Sequence, residues 1–134
     1  MKFLLLLISF NAYALVLSPG VQTPGSLCDT ASPDFKEYRY QEQIAICGRN
    51  VASALKTAIY KDYQVPNEER TLYTIDHLVP LSMGGSNQQN NLWPQPKSIT
   101  TAPLELKTFE LLAAGKITVS EAREIIRNAK IHQN

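Results

Sequence analysis

Between Tyr40 and Tyr63 the apolar residues Ile44, Cys47, Val51, Leu55, Ala58 and Ile59 recur at the spacing of a helix with one buried face. Gly48 weakens that pattern and splits the expected helix into two pieces. Val65-Pro66-Asn67 ends it, and Glu68-Glu69-Arg70 reads as a polar loop. From Leu72 to His77 apolar and polar residues alternate, which predicts a short strand, and Pro80 limits how far it can pair. Gly84-Gly85-Ser86-Asn87 forms a turn signal, and Asn91-Leu92-Trp93 reads as a returning strand stopped by Pro94. A helix then opens near Thr101 with Pro103 in its first turn, carries Leu104, Leu106, Leu111 and Leu112, and ends at Gly115. A last helix opens on the capping-box pattern Thr118-x-x-Glu121, with Val119, Ala122, Ile125, Ile126 and Ala129 as its apolar face. Helix, strand, loop, strand, helix, helix is the order of a small α+β domain.

The N-terminus changes how much of the chain belongs to that domain. Lys2 is followed by the apolar run Phe3–Phe10, then by Ala12-Tyr13-Ala14, the layout of a secretory signal peptide cleaved after Ala14. The run is shorter than the roughly 20 residues of a spanning helix, so residues 1–14 are expected to be removed, leaving a soluble secreted or periplasmic protein without stable membrane insertion. Residues 15–39, rich in Pro, Gly, Ser and Thr up to Ser32, read as an irregular arm, and residues 40–134 as the folded domain. Cys28 and Cys47 both fall in the mature part, and an even pair in an oxidising compartment reads as one disulfide. A zinc site would need more cysteine or histidine ligands at closer spacing.

Charge narrows little. The 13 Lys and Arg face 12 Asp and Glu; losing Lys2 leaves 12 against 12, so no broad basic face announces a polyanion partner. Binding to nucleic acid would rest on local cations, of which Arg49, beside the second cysteine, and Lys97, after the second strand, are the candidates for phosphate contact.

The chemistry-bearing stretch is Thr74 to Gln95. Asp76 and His77 are adjacent, and neighbours on a regular strand point to opposite faces; one site could use both only where the backbone bends or the strand ends. Hydrolysis of a phosphodiester needs a water deprotonated near neutral pH, which suits histidine, and stabilised oxygen charge, which suits a hard cation on a carboxylate. Asn91 on the returning strand is the candidate to hold the imidazole in orientation, with Gly84 and Gly85 permitting the reversal that brings it back. Trp93 is expected in the core beneath.

The string DH-x-x-P-L-x-x-GG-x-N-x-x-x-NLWPQ resembles the signature of the HNH-type, or ββα-metal, nucleases, and in particular small secreted or periplasmic bacterial members. FKEYRY, the C-G-R-N segment at Cys47–Asn50, Y-x-I-DH and the closing G-K-I-T-x-x-E-A pattern extend the resemblance over most of the mature chain. It implies a metal-dependent endonuclease acting on DNA more than RNA, with His77 as general base, Asp76 as ligand of one divalent cation and Asn91 positioning the histidine. Mg²⁺ is the expected ion, with Mn²⁺, Ni²⁺ or Zn²⁺ as alternatives. The family's further ligand, a His or Asn on the helix after the second strand, has no counterpart at residues 96–101. Glu105 is the nearest strong oxygen ligand; Thr100, Thr101, Asn87 and Asn90 are the others, and a helix N-terminus favours Glu105 for reasons of its own. A non-catalytic module of the same fold, binding nucleic acid or a partner protein in the cell envelope, is the second reading. A disulfide-stapled structural domain is the third.

Overall fold

The computed structural model describes residues 22–132; the signal peptide expected at residues 1–14 and the start of the expected arm lie outside them. The described chain is α+β: two small antiparallel sheets, three helices and one disulfide, Cys28–Cys47. Among the described residues no helix is long and apolar enough to cross a membrane.

The first sheet stands where a helix was expected. β1 (Phe35–Arg39) pairs with β2 (Ile44–Cys47), with a bulge between Phe35 and Glu37. Tyr40 and Gln43 take positive φ values of 65° and 53° to reverse the chain, a backbone that bulky residues seldom adopt. Ile44, Cys47 and Val51 fall at helical spacing by coincidence; the β-branched alternation of Ile44 and Ile46 is the pattern that wins. This hairpin crosses the boundary expected at Tyr40, so the arm contributes a strand to the domain. Only the second half of the predicted helix forms, as α1 (Ser53–Asp62). The helix closes with Gln64 at φ 56° and the Val65 amide donating back to the Tyr60 carbonyl, and Pro66 follows where a helix could not continue.

β3 (Tyr73–His77) and β4 (Leu92–Pro96) make the second sheet, with His77 opposite Leu92 and Asp76 opposite Trp93. β4 runs through Pro94 to Pro96 and does not stop at the first proline, since a two-stranded sheet has only edge strands and these tolerate a missing donor. α1 packs on this sheet around Ile59, Tyr63, Ile75, Leu78, Leu92 and the buried Trp93. A second core gathers Met83 from the loop between β3 and β4 with Leu112 of α2 (Ala102–Ala113) and Val119, Ala122 and Ile126 of α3 (Val119–Ile131). The capping box at Thr118 and Glu121 is formed in full, while Ile125, expected on the buried face, is 38% exposed.

The arm from Thr23 to Ser32 lies along the loop between β3 and β4. The amides of Gly25, Cys28 and Ser86 donate to the carbonyls of Asn90, Gly84 and Ser26, and the Thr23 hydroxyl meets that of Tyr63. The loop itself needs its glycines. Gly84 has φ 82°, and a Cβ on Gly85 would fall on the Val79 carbonyl.

Candidate functional site

Asp76 and His77 end β3, and the strand stays regular to its last residue, so their side chains go to opposite faces. The residues expected to serve one site are divided between two.

On one face the His77 imidazole is 3% exposed, and its Nε2 lies 3.0 Å from Asn87 Oδ1. The Asn87 Nδ2 donates to Asp34 Oδ2 at 2.9 Å and to the Gly48 carbonyl at 2.6 Å. Both are pure acceptors, so the amide cannot be turned over, and its oxygen must face the histidine. Nε2 therefore carries a proton and donates it, which leaves Nδ1 as the nitrogen with a free lone pair. Burial lowers the His77 pKa from the usual 6.5; the Asn87 hydrogen bond and the Asp76 charge pull it back up, and the Arg49 and Lys130 charges add to the lowering. The ring is neutral at neutral pH. Arg49 is exposed and close enough for its charge to be felt at the ring. Asp34 takes hydrogen bonds from Asn50 and Asn87, which hold its carboxyl below the usual value. Beyond Asn87 the surface opens into a cleft of about 440 Å³ lined by Asp34, Asn50, Ser86 and Asn87.

The Asn91 side chain spends its hydrogen bonds on backbone and not on the imidazole. Fully buried, it accepts from the Val79 amide at 2.9 Å through Oδ1 and donates from Nδ2 to the carbonyls of Val79 and Ser86. Its carbonyl accepts from Leu78 N. Asn91 thus ties the two ends of the β3–β4 loop and fixes the frame in which Asn87 holds the histidine. The motif asparagine braces backbone, and the neighbour in the loop braces the ring.

On the other face Asp76 and Glu105 do converge, around a residue to which the sequence patterns assigned no role. The Lys130 ammonium, 1% exposed, lies 2.7 Å from Asp76 Oδ2 and 2.9 Å from Glu105 Oε1. It also donates to the His77 carbonyl at 2.7 Å. Thr101 donates to the same Glu105 oxygen at 2.8 Å. The carboxylates are 27% and 29% exposed and border a cleft of about 310 Å³ whose walls include Thr74, Gln95, exposed Lys97 and Thr100. The sequence signal for Lys130 was present: it continues the buried stripe Val119, Ala122, Ile126 of α3, a register in which a lysine needs a partner.

The divalent ion implied by the family resemblance meets this arrangement badly. Its place between the inner oxygens is filled by an ammonium. At an effective dielectric constant of 20, a cation within about 4 Å of that ammonium is repelled by about 4 kcal/mol per unit of its charge. Among the described residues no three His, Cys, Asp or Glu side chains gather as a metal set would. As arranged, Asp76 and Glu105 do not fit a resident metal.

Comparison with protein-family models, with curated proteins and with solved structures gave no match.

Proposed function

We propose that the mature chain is an exported endonuclease that hydrolyses nucleic-acid phosphodiesters, DNA before RNA, on an HNH-like core of β3, β4 and α2. The observation that carries the reading is the neutral, buried His77 held by Asn87 with its proton on Nε2. That tautomer offers Nδ1 as acceptor, and the lowered pKa keeps it unprotonated where a base must be. With so little exposure, the base works on one water held at the site: His77 takes a proton from it as its oxygen attacks phosphorus, the P–O bond to one nucleoside oxygen breaks, and that leaving oxygen takes a proton from solvent water. Arg49 near the ring, and Lys97 in the wall of the Asp76–Glu105 cleft on the other face, are the exposed cations that would meet phosphate oxygens of the bound strand, and no part of this reading is routed through a metal. Export accords with the N-terminal signal pattern, which the Cys28–Cys47 disulfide supports.

The test is cleavage of plasmid DNA and of RNA by the oxidised mature protein, with Mg²⁺, Mn²⁺ or Ni²⁺ and with chelator. Cleavage lost in His77→Ala supports the reading; cleavage that survives this substitution overturns it.

A second reading, a non-catalytic module of the same fold that binds nucleic acid, is favoured by the lysine between the two carboxylates and by the division of Asp76 from His77. Labelled DNA retained without cleavage under every metal condition would select it.

A further inference from the structure

We propose that the Lys130 ammonium holds the position that a divalent cation takes between two carboxylates, so that Asp76 and Glu105 form a lysine-centred site that keeps no metal of its own. The Lys130 ammonium donates to Asp76 Oδ2 and to the His77 carbonyl oxygen and forms an ion pair with Glu105 Oε1 at 2.9 Å, so three oxygens surround its nitrogen. Two carboxylates and a backbone carbonyl are the oxygen shell that a hard cation takes. The shell is drawn from three places in the fold: the end of β3, the first turn of α2 and the last turn of α3.

The lysine is fixed there. Its side chain is buried on the same stripe as Val119, Ala122 and Ile126, and Thr101 turns Glu105 so that one oxygen serves both hydroxyl and ammonium. Two carboxylates brought together repel unless a positive charge stands between them, and Lys130 supplies it from within the chain. A single charge tied to α3 cannot exchange and cannot take a phosphate oxygen into its shell. Recognition of a phosphate beside this pair then falls to the exposed Lys97 of the same cleft.

The probe is Mn²⁺ alone, followed by the EPR signal of the free ion and by the thermal unfolding of the oxidised mature protein. Wild type is expected to leave the free-ion signal and the Tm unchanged. Lys130→Met is expected to take up Mn²⁺ and to gain Tm with its concentration, and adding Asp76→Asn to that variant should remove the gain. Uptake by wild type that Asp76→Asn or Glu105→Gln abolishes would overturn the proposal, as would a Lys130→Met protein that binds no Mn²⁺. Should Lys130→Met be unfolded alone, recovery of its circular-dichroism spectrum on adding Mn²⁺ is the supporting result, and no recovery the opposing one. Nucleic acid is absent throughout, so the outcome is decided apart from any cleavage activity.

Discussion

Asn87 reaches His77 Nε2 at 3.0 Å with an amide that Asp34 and Gly48 prevent from turning over. Asn87→Ala removes the one hydrogen bond that favours the charged ring, so the His77 titration midpoint should move further down. It also strands the Gly48 carbonyl and the imidazole donor, a loss of about 1–3 kcal/mol for each buried group left unpaired. Imidazole ¹⁵N shifts followed with pH, and urea unfolding, read the two effects separately.

The same lowered pKa makes stability depend on acid. Above the usual imidazole value of 6.5 the ring is neutral both folded and unfolded, and His77 contributes no slope. As pH falls below 6.5 the unfolded chain takes up a proton that the folded chain refuses, so stability declines until the lowered folded value is passed. The total decline measures how much more weakly the folded ring holds its proton, at about 1.4 kcal/mol for each tenfold difference in proton affinity. Urea midpoints between pH 7.5 and 5.5, above the range where the carboxylates titrate, should show a slope below 6.5 in wild type that His77→Gln lacks. In the nuclease reading the acid limb of kcat/KM lies below 6.5 for the same reason, and His77→Ala cuts cleavage by about 10²–10⁴-fold.

Removing the lysine leaves two carboxylates facing each other. Lys130→Met is predicted to destabilise the protein by about 3–5 kcal/mol in metal-free buffer, the usual cost of breaking a buried ion pair from one side. Combining it with Asp76→Asn should return part of that loss, because the remaining carboxylate then has no like charge to oppose. A double-mutant cycle in urea measures the coupling.

Asn91 carries three hydrogen bonds within the β3–β4 loop. Asn91→Ala should cost more than a single hydrogen bond, about 2–4 kcal/mol from the groups it leaves unpaired. Hydrogen exchange at the Val79 amide is expected to accelerate before exchange in α3 does, since the damage is local to the loop.

Much of the domain was legible from patterns that act locally. The Leu72–His77 strand, its return at Leu92, the Thr118 cap and the two C-terminal helices follow from alternation, turn residues and capping chemistry, which need no distant partner. The β1–β2 hairpin escaped because Ile44, Cys47 and Val51 imitate helical spacing, and because its turn uses Tyr40 and Gln43 in place of glycine. The candidate site was legible as residue types and much less as contacts. Asp76 and Glu105 meet, yet the group between them comes from Lys130, 54 residues after Asp76. Asn87 and not Asn91 reaches the ring, and Asp34, which fixes Asn87, lies 53 residues before it. Pairings over such distances in the chain leave no periodic trace; only the lysine within an apolar stripe gave a hint.

Cys47 is followed directly by Gly48, whose carbonyl helps to set Asn87 and through it the proton on His77. The covalent strap to Cys28 therefore anchors the segment on which the tautomer depends. A chain still inside the cell that makes it, where thiols stay reduced, would lack that anchor. In the exported-nuclease reading the enzyme becomes fully competent only after it has left the compartment that holds its maker's genome. Cleavage by the oxidised protein that dithiothreitol weakens, while circular dichroism reports the fold intact, is the expected sign of such a safeguard.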